Sequence, residues 1–299
     1  MPLTELVEEN AALSERVAKE FIAKFQGLED EMVRRLTKLL KRFPTKGGKF
    51  VTDESTRAVL SEVKKVLEEV MRREQLREAV RDLLPEFDKI ADNVSMMHGE
   101  ESGIRVGKAL ISDTKARMID FTTQSVIDGG YDARFTVPMT KALYEHVNFG
   151  SEVDVAERAI RSLVKGQELA PLTLDGKPRK VPGLLAQYAG QVARDSLNQF
   201  EGQVHKEIAL KYELTNWRYI GNILPGRLTK SGKRVGGSRP QCVRWVNKGI
   251  ITAEELPTEL VWALNNGSGL IPGTTTTTWP IYRGGYNCLH TALPTRRKP

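Results

Sequence analysis

Two short motifs in the last third of the chain hold both of its cysteines and one of its four histidines. SRPQCVRW carries Cys242, and WPIYRGGYNCLH carries Cys288 and His290. In an extended segment residues two apart share a face, which sets Cys288 and His290 side by side. Such a set admits three chemistries. Zinc takes Cys and His ligands, but a structural site uses four and only three are evident here. A nucleophilic cysteine needs an adjacent imidazole and an acid to orient it, and the neighbouring RGGYN and TALP supply no acid. In the plainest reading the thiols and His290 pack and hydrogen-bond where short strands meet, as a small irregular module requires. Two cysteines in 299 residues are too few for a disulfide framework, so a Cys242–Cys288 bond would be a single local staple.

The residues around these motifs are basic and aromatic. The net charge of +7 is unevenly placed: Arg227, Lys230, Lys233, Arg234, Arg239, Arg244 and Lys248 fall between Asn222 and Ala253 with no acid among them. Arginines and lysines on a glycine-rich loop suit DNA phosphates, which are engaged without base readout. Arg227, Lys230, Lys233, Arg234 and Arg239 are the expected polyanion contacts. The glycines of GKRVGGSRP and RGGYN match neither GxxxxGK[ST] nor GxGxxG between a strand and a helix, which argues against a nucleotide loop. Tyr219, Trp245, Trp279, Tyr282 and Tyr286 interleave with the basic residues; they suit stacking on single strands or, more simply, the core of a small module.

Helices must position this module. Leu6, Leu13, Val17, Phe21, Phe25, Leu28, Met32, Leu36 and Leu39 recur at helical spacing and predict one long amphipathic helix over 4–42. A second starts at Thr52 or Asp53 and runs until Pro85 interrupts it. The two form a hairpin of a bundle or an extended arm. DNVSMMHGEESG and DGGYDARFTVPMT read as loops between helices at 104–127 and 138–148, with His98 and His146 as ordinary surface or loop residues. Helix returns at 152–166 and at 183–212, around a hairpin or loop in LTLDGKPRKVPG with Pro182 in the first turn of the second. His205 lies within that helix in a structural role, and Gln187, Gln191, Arg194, Asp195 and Gln199 form a polar stripe on it. From Trp217 short strands and loops take over, followed by a short helix opened by a Thr252/Glu255 capping box. TTTTTW is a strand, an edge or a loop. The expected fold class is mainly α: long N-terminal amphipathic helices and a helical middle, followed by a small irregular α+β C-terminal module. The segments are 1–92, a helical arm or hairpin; 93–150, a mixed connector; 151–215, a helical segment; and 216–299, the basic module. No run of about 18 apolar residues occurs, and the N-terminus is acidic where a secretory signal is basic, which implies a cytosol-like compartment and no membrane partner.

WRYIG, SRPQCVRW, ITAEELP, WPIYRGGYNCLH and Pro294, in that order, resemble the C-terminal module of the phage Mu protein F-like family, the minor head or head morphogenesis proteins of tailed bacteriophages. The resemblance covers about residues 155–294, including the helix LLAQYAGQVARDSLNQFEGQVHKEIALKY. Leu289 stands where many relatives have Arg, and a basic insertion around Lys230 to Gly237 replaces the usual acids after the first strand. The resemblance implies a non-enzymatic virion protein that acts in head assembly, with the portal protein, a major capsid or scaffold protein and double-stranded DNA as partners. It implies several copies per particle at the portal vertex or capsid interior, and host cytoplasm during assembly. No cofactor is expected, with zinc on Cys242, Cys288 and His290 as the one candidate. Two alternatives stand beside it: a nuclease-like effector using His290, Arg283 and His205, and a portal-binding scaffold without a nucleic-acid role.

Overall fold

Apolar residues three and four apart carry Leu3–Leu40 into one continuous helix, α1. The computed structural model describes residues 2–71, 78–79, 81–124, 135–169, 179–228, 234–235 and 237–299. These are mainly helical, with a few small antiparallel sheets. Among the described residues no helix is long and apolar enough to cross a membrane. The chain divides into two compact units built from non-consecutive pieces. One comprises Met1–Val17, Leu83–Phe121 and Ala193–Pro299, the other Ala18–Asp82 and Thr122–Val192. Of the four consecutive segments expected from the sequence, 1–92, 93–150 and 151–215 are each divided between the two, and 216–299 lies wholly in the first.

The second unit takes α1 from Ala18 onward, the hairpin β1 (Thr45–Lys46) and β2 (Lys49–Phe50), α2 (Glu54–Met71), α5 (Val137–Asn148), α6 (Val153–Lys165), and the antiparallel pair β3 (Gly166–Leu169) and β4 (Arg179–Pro182). Gly47 and Gly48, at φ 61° and 77°, make the turn of the first hairpin. Val59, Val63, Leu67 and Val70 of α2 and Met139, Leu143 and Val147 of α5 are buried at helical spacing. Pro182 closes β4 rather than opening the next helix, which starts at Leu184.

The first unit holds both cysteine motifs. It contains the start of α1, α3 (Leu84–Ser102), α4 (Lys108–Gln124) as far as Phe121, and α7 (Leu184–Lys211) from Ala193. Its sheet is β5 (Asn216–Ile220) between β8 (Ile250–Ile251) and β9 (Thr291–Thr295), all antiparallel. Between them come β6 (Arg227–Leu228) paired with β7 (Arg234–Val235), α8 (Pro240–Lys248), α9 (Leu256–Asn266) and the short α10 (Trp279–Tyr282). Leu3, Leu6 and Val7 form one buried cluster with Met97, Ile220 and Leu293, so the first turns of α1 close the core of the C-terminal module.

The segment DNVSMMHGEESG is not a loop. Helix stops in a turn at Asp82 and Leu83, just ahead of Pro85 as expected, and Pro85 then sits in the first turn of α3, as its fixed φ and missing N–H allow. Phe87, Ile90, Ala91, Val94 and Met97 then bury one continuous face until Gly103, at φ 65°, caps the end. The polar residues that look loop-like have partners within the fold: Asn93 donates to Asn10 Oδ1 at 2.8 Å and the Ser95 hydroxyl to the Ala91 carbonyl at 2.9 Å. SRPQCVRW likewise becomes helix, with Pro240 in the first turn of α8. The threonine run is a turn in which Thr275 and Thr278 exchange hydroxyl and amide bonds at 2.8 and 3.3 Å before α10 begins. The Thr252/Glu255 box forms as expected, with reciprocal bonds of 3.0 and 3.2 Å, one turn ahead of α9.

Candidate site at the junction of the cysteine motifs

Arg239, the residue before α8, donates to the Gly284 carbonyl at 3.0 Å and to the Tyr286 carbonyl. Gln241 adds bonds to Gly284 O at 3.1 Å and Ser268 O at 2.8 Å. The SRPQ segment thereby clamps the RGGYN loop, and α8 presents Cys242 to it. Two residues of that loop could be nothing but glycine. A Cβ on Gly284 would lie 2.2 Å from Cys242 Sγ and 3.0 Å from Cys288 Sγ, and one on Gly285, at φ 107°, would lie 1.8 Å from the Gly269 carbonyl oxygen.

Both sulfurs are buried and are not joined to each other. Tyr219 Oη, delivered by the central strand β5, lies 3.6 Å from Cys242 Sγ and 3.5 Å from Cys288 Sγ. Cys288 Sγ is 3.6 Å from His290 Nδ1, and one ligand atom each of Cys242, Cys288 and His290 fall within 4.8 Å of one another. The hydrogen bond between the thiols holds Cys288 well below the ordinary thiol pKa, with His290 and Tyr219 assisting, and raises that of Cys242. Burial, together with the two sulfurs, pushes the Tyr219 hydroxyl well above its usual value. The His290 ring stacks on Tyr219 at 5.6 Å, and Tyr219, Trp245 and Trp279 pack at 5.3–5.8 Å. Of the five interleaved aromatics, Tyr219, Trp245 and Trp279 are core, and Tyr282 and Tyr286 are half-buried.

Behind this junction lies a buried ionic network. Arg283 and Glu201, 1% and 2% exposed, pair at 3.0 Å. Arg283 also donates to the carbonyls of His290, at 2.6 Å, and Asn198. Glu201 accepts from Asn10 at 3.1 Å and Thr291 at 2.8 Å. Ser14 and Cys288 O meet Asn198 at 3.1 and 3.0 Å. Burial alone would raise the Glu201 pKa, but the charge of Arg283 and the bonds from His205 and Thr291 bring it down to about 2. A second buried carboxylate, Glu101, takes Arg218 at 2.9 Å, Thr295 at 2.7 Å and Arg297 at 3.1 Å, tying α3 to the final strand.

His98 and His205 are both wholly buried, with His98 Nε2 2.9 Å from His205 Nδ1 and His205 Nε2 3.6 Å from Glu201. His98 is thus neither a surface nor a loop residue; its helix turns it inward beside Met97. Burial depresses the pKa of both imidazoles, that of His98 to about 2. The sign of the pH dependence follows. The unfolded chain takes up protons below about pH 6.5 that the folded chain refuses, so stability is unaffected above that value and falls below it. The expected loss is about 1.4 kcal/mol from His98 by about pH 5.5, to which His205 adds in the same direction. Tryptophan-monitored urea unfolding at neutral and mildly acidic pH checks this, and His98→Gln should remove the His98 share of the loss. A stability flat across this range would contradict the buried neutral pair.

A cavity of about 350 Å³ opens beside the junction, where Cys242, His290, Arg239, Asn222, Glu8 and Leu289 line it. Of the expected polyanion contacts, Lys230 and Lys233 lie outside the described residues, as do the side chains of Arg227 and Arg234. Arg239 is described, and its guanidinium is engaged by loop carbonyls rather than presented outward. The nuclease set is not assembled for substrate: Arg283 and His205 are enclosed, and only His290 borders a cavity. His146 sits apart in the second unit, 3.1 Å from the Ser151 hydroxyl. Within the polar stripe Asp195 accepts the Asn287 amide at 2.7 Å, and Arg194 pairs with Glu15 at 2.7 Å. Glu201, Glu101 and the His98–His205 pair escape sequence reasoning, since their partners lie far along the chain, Thr295 being 194 residues from Glu101. Compared with protein-family models, curated proteins and solved structures, the chain finds no match.

Proposed function

We propose that the chain is a minor head protein of a tailed bacteriophage, a structural component that acts in head assembly near the portal and contacts packaged DNA. One observation carries the reading. The two motifs on which the resemblance rests are a single structural junction, in which Arg239 and Gln241 of the first hold the glycine loop of the second and Cys242 meets Cys288. Arg283, Asn198 and Glu201 then lock that loop to α7, which belongs to the same resemblance. Such a junction builds a rigid docking module and leaves binding to its surface. Arg227, Lys230, Lys233 and Arg234 serve as the DNA contacts. With Arg239 committed to the loop, four phosphate contacts give a log–log salt slope of about −4 on duplex DNA.

Co-assembly tests the reading. Expressed with the portal and major capsid proteins of the same genome, the chain should sediment with the heads; normal heads that form while the chain stays in the soluble pool overturn it. A chain that enters heads but shows no salt-dependent DNA binding is a scaffold, and RNA or DNA cleavage abolished by His290→Ala marks the effector.

A further inference from the structure

We propose that Cys242, Cys288 and His290 form a three-ligand binding site for a thiophilic divalent cation, zinc foremost, with its fourth position facing the adjoining cavity. The donor set comes first: two thiols and an imidazole suit zinc, and such a triad recurs in sites that keep one position open. The spacing comes second. A tetrahedral ion with bonds of about 2.3 Å to sulfur and about 2.0 Å to nitrogen sets sulfur–nitrogen edges near 3.5 Å. Cys288 Sγ and His290 Nδ1 are 3.6 Å apart, and the whole set spans 4.8 Å. Closing on an ion needs a shift of about 1 Å along the longest edge.

The surroundings supply what such a site requires. Tyr219 Oη is placed to donate to a thiolate at 3.5–3.6 Å and so to steady the sulfur ligands. Gly284 gives the sulfurs their approach to the backbone, where any side chain would occupy the space. Since the cavity is lined by Cys242 and His290 but not by Tyr219, entry is from that side, and water or a small anion completes the coordination.

The test uses the full chain, reduced, stripped with chelator and titrated with Co²⁺ as a spectroscopic stand-in for Zn²⁺. Expected are one ion per chain, thiolate-to-cobalt charge-transfer absorption, tetrahedral ligand-field bands that azide shifts, and release of the Co²⁺ by Zn²⁺. Cys242→Ser and His290→Gln should each weaken Co²⁺ binding at least about 100-fold, more than a supporting residue usually costs. Wild-type chain answers the question even where a variant fails to fold. Absence of charge-transfer absorption, two thiols that alkylate equally fast with and without Zn²⁺, or a native Cys242–Cys288 disulfide would each overturn the site. Bands indifferent to azide would overturn its open position.

Discussion

Arg283→Met should destabilise the unit that contains the cysteine motifs by about 3–5 kcal/mol, the range found when one partner of a buried ion pair is removed. The methionine fills the volume but leaves the Glu201 carboxylate, 2% exposed, without its cation. It also strips the donors from His290 O and Asn198 O, two carbonyls at the heart of the junction. The measurement is direct because all four tryptophans, Trp217, Trp245, Trp262 and Trp279, lie in this unit, so their fluorescence in urea reports its unfolding. Adding Glu201→Gln to Arg283→Met should recover at least about 1 kcal/mol by removing the stranded charge. A single-variant loss below about 1 kcal/mol would mean that the pair does not hold the junction together.

Trp245→Ala should cost a comparable amount, about 3–5 kcal/mol for deletion of a buried aromatic side chain. Trp245 is wholly enclosed, packs edge-on against Tyr219 and Trp279 at 5.3 and 5.5 Å, and donates from Nε1 to Glu259 at 3.2 Å. Glu259 is itself a hub: Arg244 grips it with two bonds of 2.7 and 3.0 Å, and Lys248 lies at 3.4 Å. Losing the indole therefore opens a void beneath the Tyr219 ring and loosens α8 against α9 in one step. Trp245→Phe should retain most of the stability while losing only the Nε1 bond, a cost of about 1–2 kcal/mol. Equal losses for the two variants would assign the effect to the hydrogen bond rather than to packing. The same burial assigns Tyr219, Trp245 and Trp279 to the core, since a ring with almost no exposure offers no face to a nucleobase.

Local signals survived into the structure, and distant pairings did not announce themselves. The long helix α1, the capping box at Thr252 and Glu255, the helix α7 and the strand WRYI all follow from periodicity, propensity or a short motif, which neighbouring residues determine. That Cys242, Cys288 and His290 meet was legible as a suspicion, because their types are scarce and their motifs matched a pattern. The C-terminal part of α3 was obscured by Asn93, Ser95 and Gly99, residues common in loops. Their polar groups are satisfied by a residue of α1 and by the helix's own carbonyls, and only the tertiary contacts reveal it. Arg283 enters the sequence reading only as a candidate of the nuclease-like alternative, since nothing nearby in sequence predicts the buried carboxylate that neutralises it. Arg239 stands among the expected phosphate contacts, and the carbonyls that it binds, 45 and 47 residues later, are equally out of reach of a local reading.

In the proposed role this junction anchors a structural module inside a phage head. Cryo-electron microscopy of the assembled particle, with focused classification around the portal vertex, tests it most directly. Expected is density for the chain beside the portal, with residues 227–234 toward the genome and the Cys242–Cys288–His290 junction buried within the module. Density confined to the outer shell, or particles that lack the chain altogether, would contradict it.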